Sequence, residues 1–152
     1  MREKKKKQNN KGFSLVELII VIAIMAILAG VLSPQLIKYL DKSRKAADVQ
    51  TAQTIATAIS VALADEDANA AATADLTIAQ IYDSALADYA TNKFKLAVRD
   101  VLGTTEPKPK YNSITTFYID FTSTTDKTFS IYAGTTATTT SILYPTVGTS
   151  YK

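Results

Sequence analysis

Three residues near the start of the chain place chemistry where little is expected. Gly12 and Phe13 form a small–aromatic pair behind a basic run, and Glu17 follows four residues later inside an apolar stretch. A lone carboxylate in hydrocarbon costs several kcal/mol and is kept mainly where it has a partner. If the bond after Gly12 is cut, the new α-ammonium of Phe13 is such a partner. A helix N-terminus, whose first N–H groups are unpaired, also favours an anion. Glu17 can then meet its own Phe13 amine, meet that of a neighbouring copy, or sit in the bilayer as a neutral carboxyl.

Few other chemistries are open. The chain of 152 residues has no Cys, which excludes disulfides, thiolate metal sites and thiol nucleophiles. It has no His, so the commonest general base and metal ligand are both missing. No nucleophile elbow, phosphate loop or recognisable pair of acids is present. An enzyme is not expected, nor a cofactor or a metal. The formal charge of +3 is uneven. Residues 1–12 hold six basic side chains against Glu3, a net +5, which leaves −2 for the rest. The body is mildly acidic, and nucleic acid is an unlikely partner.

The element that must position Glu17 is a long helix. Leu18 to Ile37 is uncharged, and at about 1.5 Å per residue it spans roughly 30 Å, the thickness of a bilayer core. The basic residues before it place the N-terminus in the cytoplasm. "LAGVLSPQ" offers no good small-x-small site for an ordinary signal peptidase. Pro34 lacks an N–H and crowds the carbonyl of Gly30, so a kink is expected at residues 30–34.

Helical spacing continues through 38–64. Ala52, Ile55, Ala56, Ile59, Ala62 and Leu63 form one apolar stripe. Asp41, Lys45 and Asp48 occupy the same face earlier and read as a solvated surface in preference to a specific bridge between subunits. Asp65, Glu66 and Asp67 are unfavourable at a helix C-terminus and read as a solvated loop rather than a cation site. Ile78 to Tyr89 reads as a second helix and Phe94 to Val101 as a third, capped by Gly103. Residues 103–112 are a linker, with Lys108 and Lys110 a small solvated basic spot. Period-two runs at Phe117–Phe121, Phe129–Ala133 and Ile142–Tyr144 predict an antiparallel meander of three strands, with Val147–Tyr151 a possible fourth. The fold class is therefore α+β: a long N-terminal helix with a protruding apolar half, its amphipathic half packed on a sheet of three or four strands.

"KGFSLVELIIVIAIMAILAGVLSPQ" resembles the N-terminus of type IV prepilins and pseudopilins. The resemblance covers residues 7–40 and implies the following. A membrane prepilin peptidase cuts between Gly12 and Phe13 and methylates the new N-terminus, making Phe13 N-methylphenylalanine. Glu17 falls on the family's assembly glutamate and Pro34 on its helix-kinking proline. Residues 1–12 are then a cleaved leader and 13–37 the transmembrane and filament-core helix. Residues 38–152 are the rest of that helix plus a globular domain, with short helices in 76–102 and the sheet in 113–152. The implied function is the major subunit of a type IV pilus, serving adhesion, twitching motility or aggregation. The alternative is a pseudopilin of a type II secretion or DNA-uptake system. The implied partners are copies of itself in a helical filament, the peptidase/methylase, an inner-membrane assembly platform and an assembly ATPase. The precursor would sit once through the cytoplasmic membrane, and the product would be an extracellular filament. The chain departs from the many pilins whose C-terminal region is tied by a disulfide, because it has no Cys.

Overall fold

A computed structural model describes residues 12–123 and 125–152. The basic leader, Arg2 to Lys11, lies outside the described residues, as does Thr124 in the turn between two strands. The described chain divides between Tyr39 and Leu40 into two compact units. One helix, α1 (Leu15–Leu63), begins in the first and ends in the second.

In the first unit every described residue is exposed, and most of them are large apolar or Ala. The most apolar window of α1 has a mean hydropathy of 3.0, enough to cross a membrane by length and composition. α1 is helical throughout, Gly30 and Pro34 included. Beside them the Ser33 hydroxyl donates to the Ala29 carbonyl at 2.7 Å, a back-bond that tends to bend a helix.

The second unit is α+β. After α1 come α2 (Glu66–Ala71), β1 (Leu76–Thr77), α3 (Ile78–Tyr82), α4 (Lys93–Leu102), β2 (Phe117–Ser123), β3 (Thr128–Ala133), β4 (Ile142–Tyr144) and a 3-10 turn at Thr149–Tyr151. The sheet is antiparallel in the order β1-β2-β3-β4. Phe117, Ile119 and Phe121 of β2 alternate inward with Ile131 and Ala133 of β3 and Leu143 of β4. They form one core with Ala52, Ile55, Ala56, Ala58, Ile59 and Ala62 of α1 and with Phe94 and Val98 of α4. Each fully buried Ile or Phe contributes about 1.5–3 kcal/mol by leaving water.

Four expectations need correction. First, the acidic triplet is not a loop. α1 stops at Leu63, and Asp65 caps a new helix by accepting from the Ala68 N–H at 2.9 Å. Glu66 and Asp67 then lie in a first turn, where the helix dipole favours anions. Second, the helix expected over 78–89 ends at Tyr82. Thr77 and Gln80 close a capping box at its start, while Asp83 turns out of helix to accept from the Ala85 N–H. Third, the fourth strand is Leu76–Thr77, paired with Ile119 and Tyr118, and Val147–Tyr151 is not a strand. Fourth, Asp48 is not solvated but wholly buried. α4 ends at Gly103 as expected, with that glycine at φ 87°, a conformation costly for any residue with a Cβ.

Candidate processing and assembly site

The chain enters α1 through three exposed residues, Gly12, Phe13 and Ser14, none of them helical. Phe13 is 93 % exposed, which leaves the Gly12–Phe13 bond open on every side that the described residues define. A Cβ added at Gly12 would meet nothing within 4 Å, so no packing among the described residues requires glycine there.

Glu17 lies in the first turn of α1. Its Oε2 accepts from the Ser14 backbone N–H at 2.8 Å, and the Ser14 carbonyl accepts from the Leu18 N–H at 3.2 Å. This is half of a capping box, in which the acid reaches back to an N–H that the helix cannot satisfy. The S-x-x-E spacing that announces it, Ser14 to Glu17, is plain in the sequence but is easily passed over beside the question of a charge partner. The structure thus supplies one intrachain donor for the buried-acid problem. A carboxylate accepts about four hydrogen bonds, so capacity is left over for an amine at the helix start. Gly30 and Pro34 lie further along α1, thirteen and seventeen positions after Glu17, and form no site with it.

The structure also shows a residue that the sequence reading missed. Asp48 has 0 % of its surface exposed. Its Oδ1 accepts from the Lys110 N–H at 2.6 Å and its Oδ2 from the Tyr111 N–H at 3.0 Å. The Tyr151 hydroxyl stands 3.4 Å from the same Oδ2. Burial and then the Asp48 carboxylate push the Tyr151 phenol above its ordinary value of 10.0. The Tyr151 ring meets Tyr111 edge-on at 5.5 Å, and the Lys45 ammonium lies 4.9 Å from the Tyr111 ring centre. No local spacing signals this cluster, because its donors come from 62, 63 and 103 positions away.

A comparison with protein families matches residues 7–33 to the prokaryotic N-terminal methylation motif. This is the leader signature of type IV prepilins. The motif spans Gly12, Phe13, Glu17 and Gly30 and stops one residue before Pro34. It supports a type IV pilin-like or pseudopilin protein and points to a structural subunit. It also implies processing by a prepilin peptidase and, in general terms, pilus-type assembly machinery. The apolar first unit fits membrane anchoring. No curated protein and no solved structure matches the chain.

Proposed function

We propose that this chain is the major subunit of a type IV pilus, cut between Gly12 and Phe13 and polymerised through the N-terminal part of α1. The observation that carries the reading is a coincidence of two features. The methylation motif overlaps a helical stretch in which Leu15, Leu18, Ile22, Met25, Leu28 and Leu32 are each more than half exposed. Apolar surface on that scale needs lipid or copies of itself. Lipid serves the precursor, with its N-terminus in the cytoplasm, and a bundle of copies serves the filament outside the cell.

In this reading Phe13 becomes N-methylphenylalanine, and its ammonium pairs with Glu17 of an adjacent subunit. The carboxylate keeps its Ser14 bond and takes the ammonium on a remaining lone pair. Residues 30–34 supply the bend, since Pro34 frees the Gly30 carbonyl and Ser33 loads the carbonyl beside it.

The test is N-terminal mass spectrometry on material sheared from the cell surface. A peptide that starts at methylated Phe13 in that fraction supports a long external filament. The same peptide confined to membranes moves the assignment to a pseudopilin of a secretion or DNA-uptake system. A retained leader, or a cut past Gly30, ends the proposal. Glu17→Ala is expected to be processed normally and to give no filaments, read by the same shearing assay.

A further inference from the structure

Charge is segregated along the chain beyond the apolar run. Lys38, Lys42, Arg44 and Lys45 fall within eight residues against one acid, Asp41, a net +3. Residues 46–152 hold seven basic side chains against eleven acidic ones, a net −4. The basic group thus stands apart from an acidic body. Its place is also particular. Lys38 is the first charged residue after Glu17 and directly follows Ile37, where the uncharged run ends. The other three follow along α1 within roughly 11 Å, at about 1.5 Å per residue. A headgroup layer adds about 5–8 Å to each side of a bilayer's hydrocarbon, and long basic side chains reach back towards it.

The side chains are free to make such contacts. Lys38, Lys42 and Arg44 are exposed. The Arg44 guanidinium lies 3.9 Å from the Asp41 carboxylate, and both side chains are about half exposed. Such a pair is weak and leaves guanidinium N–H groups to spare. Lys45 is committed elsewhere, its ammonium 4.9 Å from the centre of the Tyr111 ring. Tyr39, beside Lys38, is 71 % exposed. A tyrosine next to an apolar span is the residue type that settles at headgroup depth.

We propose that Lys38, Lys42 and Arg44 dock onto anionic phospholipid headgroups in the leaflet where the apolar run ends, and so fix the depth of the precursor in the membrane. Phosphate oxygens accept from the ammonium and guanidinium groups. The acidic body of a second copy carries the same sign of charge. The lipid phosphates, however, are already alongside once the apolar run is in the bilayer. The inference rests on the membrane-anchored reading of that run and makes no use of the filament.

Electron spin resonance on the full chain in phosphatidylcholine vesicles tests it. Trace spin-labelled phosphatidylglycerol or phosphatidylcholine reports how much of each lipid is immobilised at the protein. The unmodified chain should hold phosphatidylglycerol in preference. The triple variant Lys38→Gln, Lys42→Gln, Arg44→Gln should lose about fivefold of that preference, the factor expected for one basic side chain at an anionic surface. The leader is common to both chains, so the difference belongs to the three residues. Lys38→Arg with Lys42→Arg should keep the preference, and 1 M salt should shrink it. Equal preference in the triple variant and the unmodified chain overturns the proposal. A preference erased by inorganic phosphate at constant ionic strength also overturns it and makes the site one for a free anion. A triple variant that keeps its preference but loses self-association gives the residues to a second copy instead. If neither label is immobilised, the apolar run is not in the bilayer, and the membrane reading falls together with the docking.

Discussion

Glu17 and Asp48 are two carboxylates on one helix, and the chain treats them in opposite ways. Glu17 stands on an exposed apolar surface and, among the described residues, holds a single donor, the N–H of Ser14 three residues earlier. Asp48 is sealed from solvent and holds donors that arrive from the far side of the sequence. A buried carboxylate that accepts several hydrogen bonds is stable only while all its donors are in place, so it ties its surroundings into one arrangement. A carboxylate with spare lone pairs in an apolar setting is unfinished, and it completes itself by meeting a further donor. Asp48 belongs to folding, and Glu17, in the reading proposed above, belongs to assembly.

The largest expected effect separates these roles directly. Asp48→Ala leaves the Lys110 and Tyr111 N–H groups buried without acceptors, and each orphan costs about 1–3 kcal/mol. Unfolding of the second unit in urea should shift by about 2–5 kcal/mol in total. Glu17→Ala removes one exposed capping bond and should leave the same transition within about 0.5–1 kcal/mol, the range of a helix cap. Equal shifts for the two variants would break the comparison.

Much of the first region was legible in the sequence, and part of the second was not, for a physical reason. An apolar run, a basic leader and the Gly12–Phe13–Glu17 spacing are local patterns, and the helix they announce is local too. Inward alternation in β2 and β3 and the α1 stripe from Ala52 to Ala62 were equally readable, since periods of 2 and 3.6 need no tertiary knowledge. Asp48 was misread because its surface-like neighbours Asp41 and Lys45 set the expectation, whereas its burial depends on donors beyond residue 100. The stop at Tyr82 was hidden similarly. The Ile78–Tyr89 spacing is helical, yet Asp83 offers its own side chain to the backbone and ends the helix. β1 is two residues long, too short for any period. It is recognisable only from its partners Tyr118 and Ile119 and from Asp75, whose carboxylate extends the pairing by accepting the Phe121 N–H at 2.7 Å.

Two glycines sharpen the comparison at a smaller scale. Gly148 and Gly30 sit in the two regions and should respond with opposite signs to the same change. Alanine at Gly148 drives a methyl group against the Thr139 and Thr140 carbonyls, which are backbone and cannot step aside cheaply. The expected loss is about 1–3 kcal/mol in the urea transition of the second unit. Alanine at Gly30 meets nothing within 4 Å and stands in mid-helix, where it should raise helix stability by about 1 kcal/mol. Circular dichroism of the full chain in micelles should show no loss of helix for Gly30→Ala. Destabilisation there would mean that open space around Gly30 is used by something else.

The smallest effect expected is in the pH dependence of unfolding, and it belongs to the second region almost entirely, because Glu17 is the one ionisable side chain from Phe13 to Ile37. At the alkaline end Tyr151 decides the sign. Its folded value is raised by burial and by Asp48, so the folded chain holds the phenol proton more tightly than the unfolded chain does. That stabilisation is complete below about pH 10 and is lost as pH rises beyond it. Tyr82 and Tyr118 are raised too, burial being the first cause in each, so Tyr151→Phe should flatten the alkaline loss without abolishing it. At the acid end Asp88 runs the other way. The Lys95 ammonium, 2.8 Å from its Oδ1, lowers its value through a hydrogen bond. Its contribution is present above the ordinary 3.8 and disappears as pH falls through the lower folded value. Asp88 is nearly half open to solvent, so Asp88→Asn should trim the acid limb only slightly. Urea unfolding of the two variants from pH 3 to pH 11 checks both signs. An alkaline limb unchanged in Tyr151→Phe would mean that the phenol does not face Asp48 in solution, and the contrast between the satisfied and the unfinished carboxylate would then rest on Lys110 and Tyr111 alone.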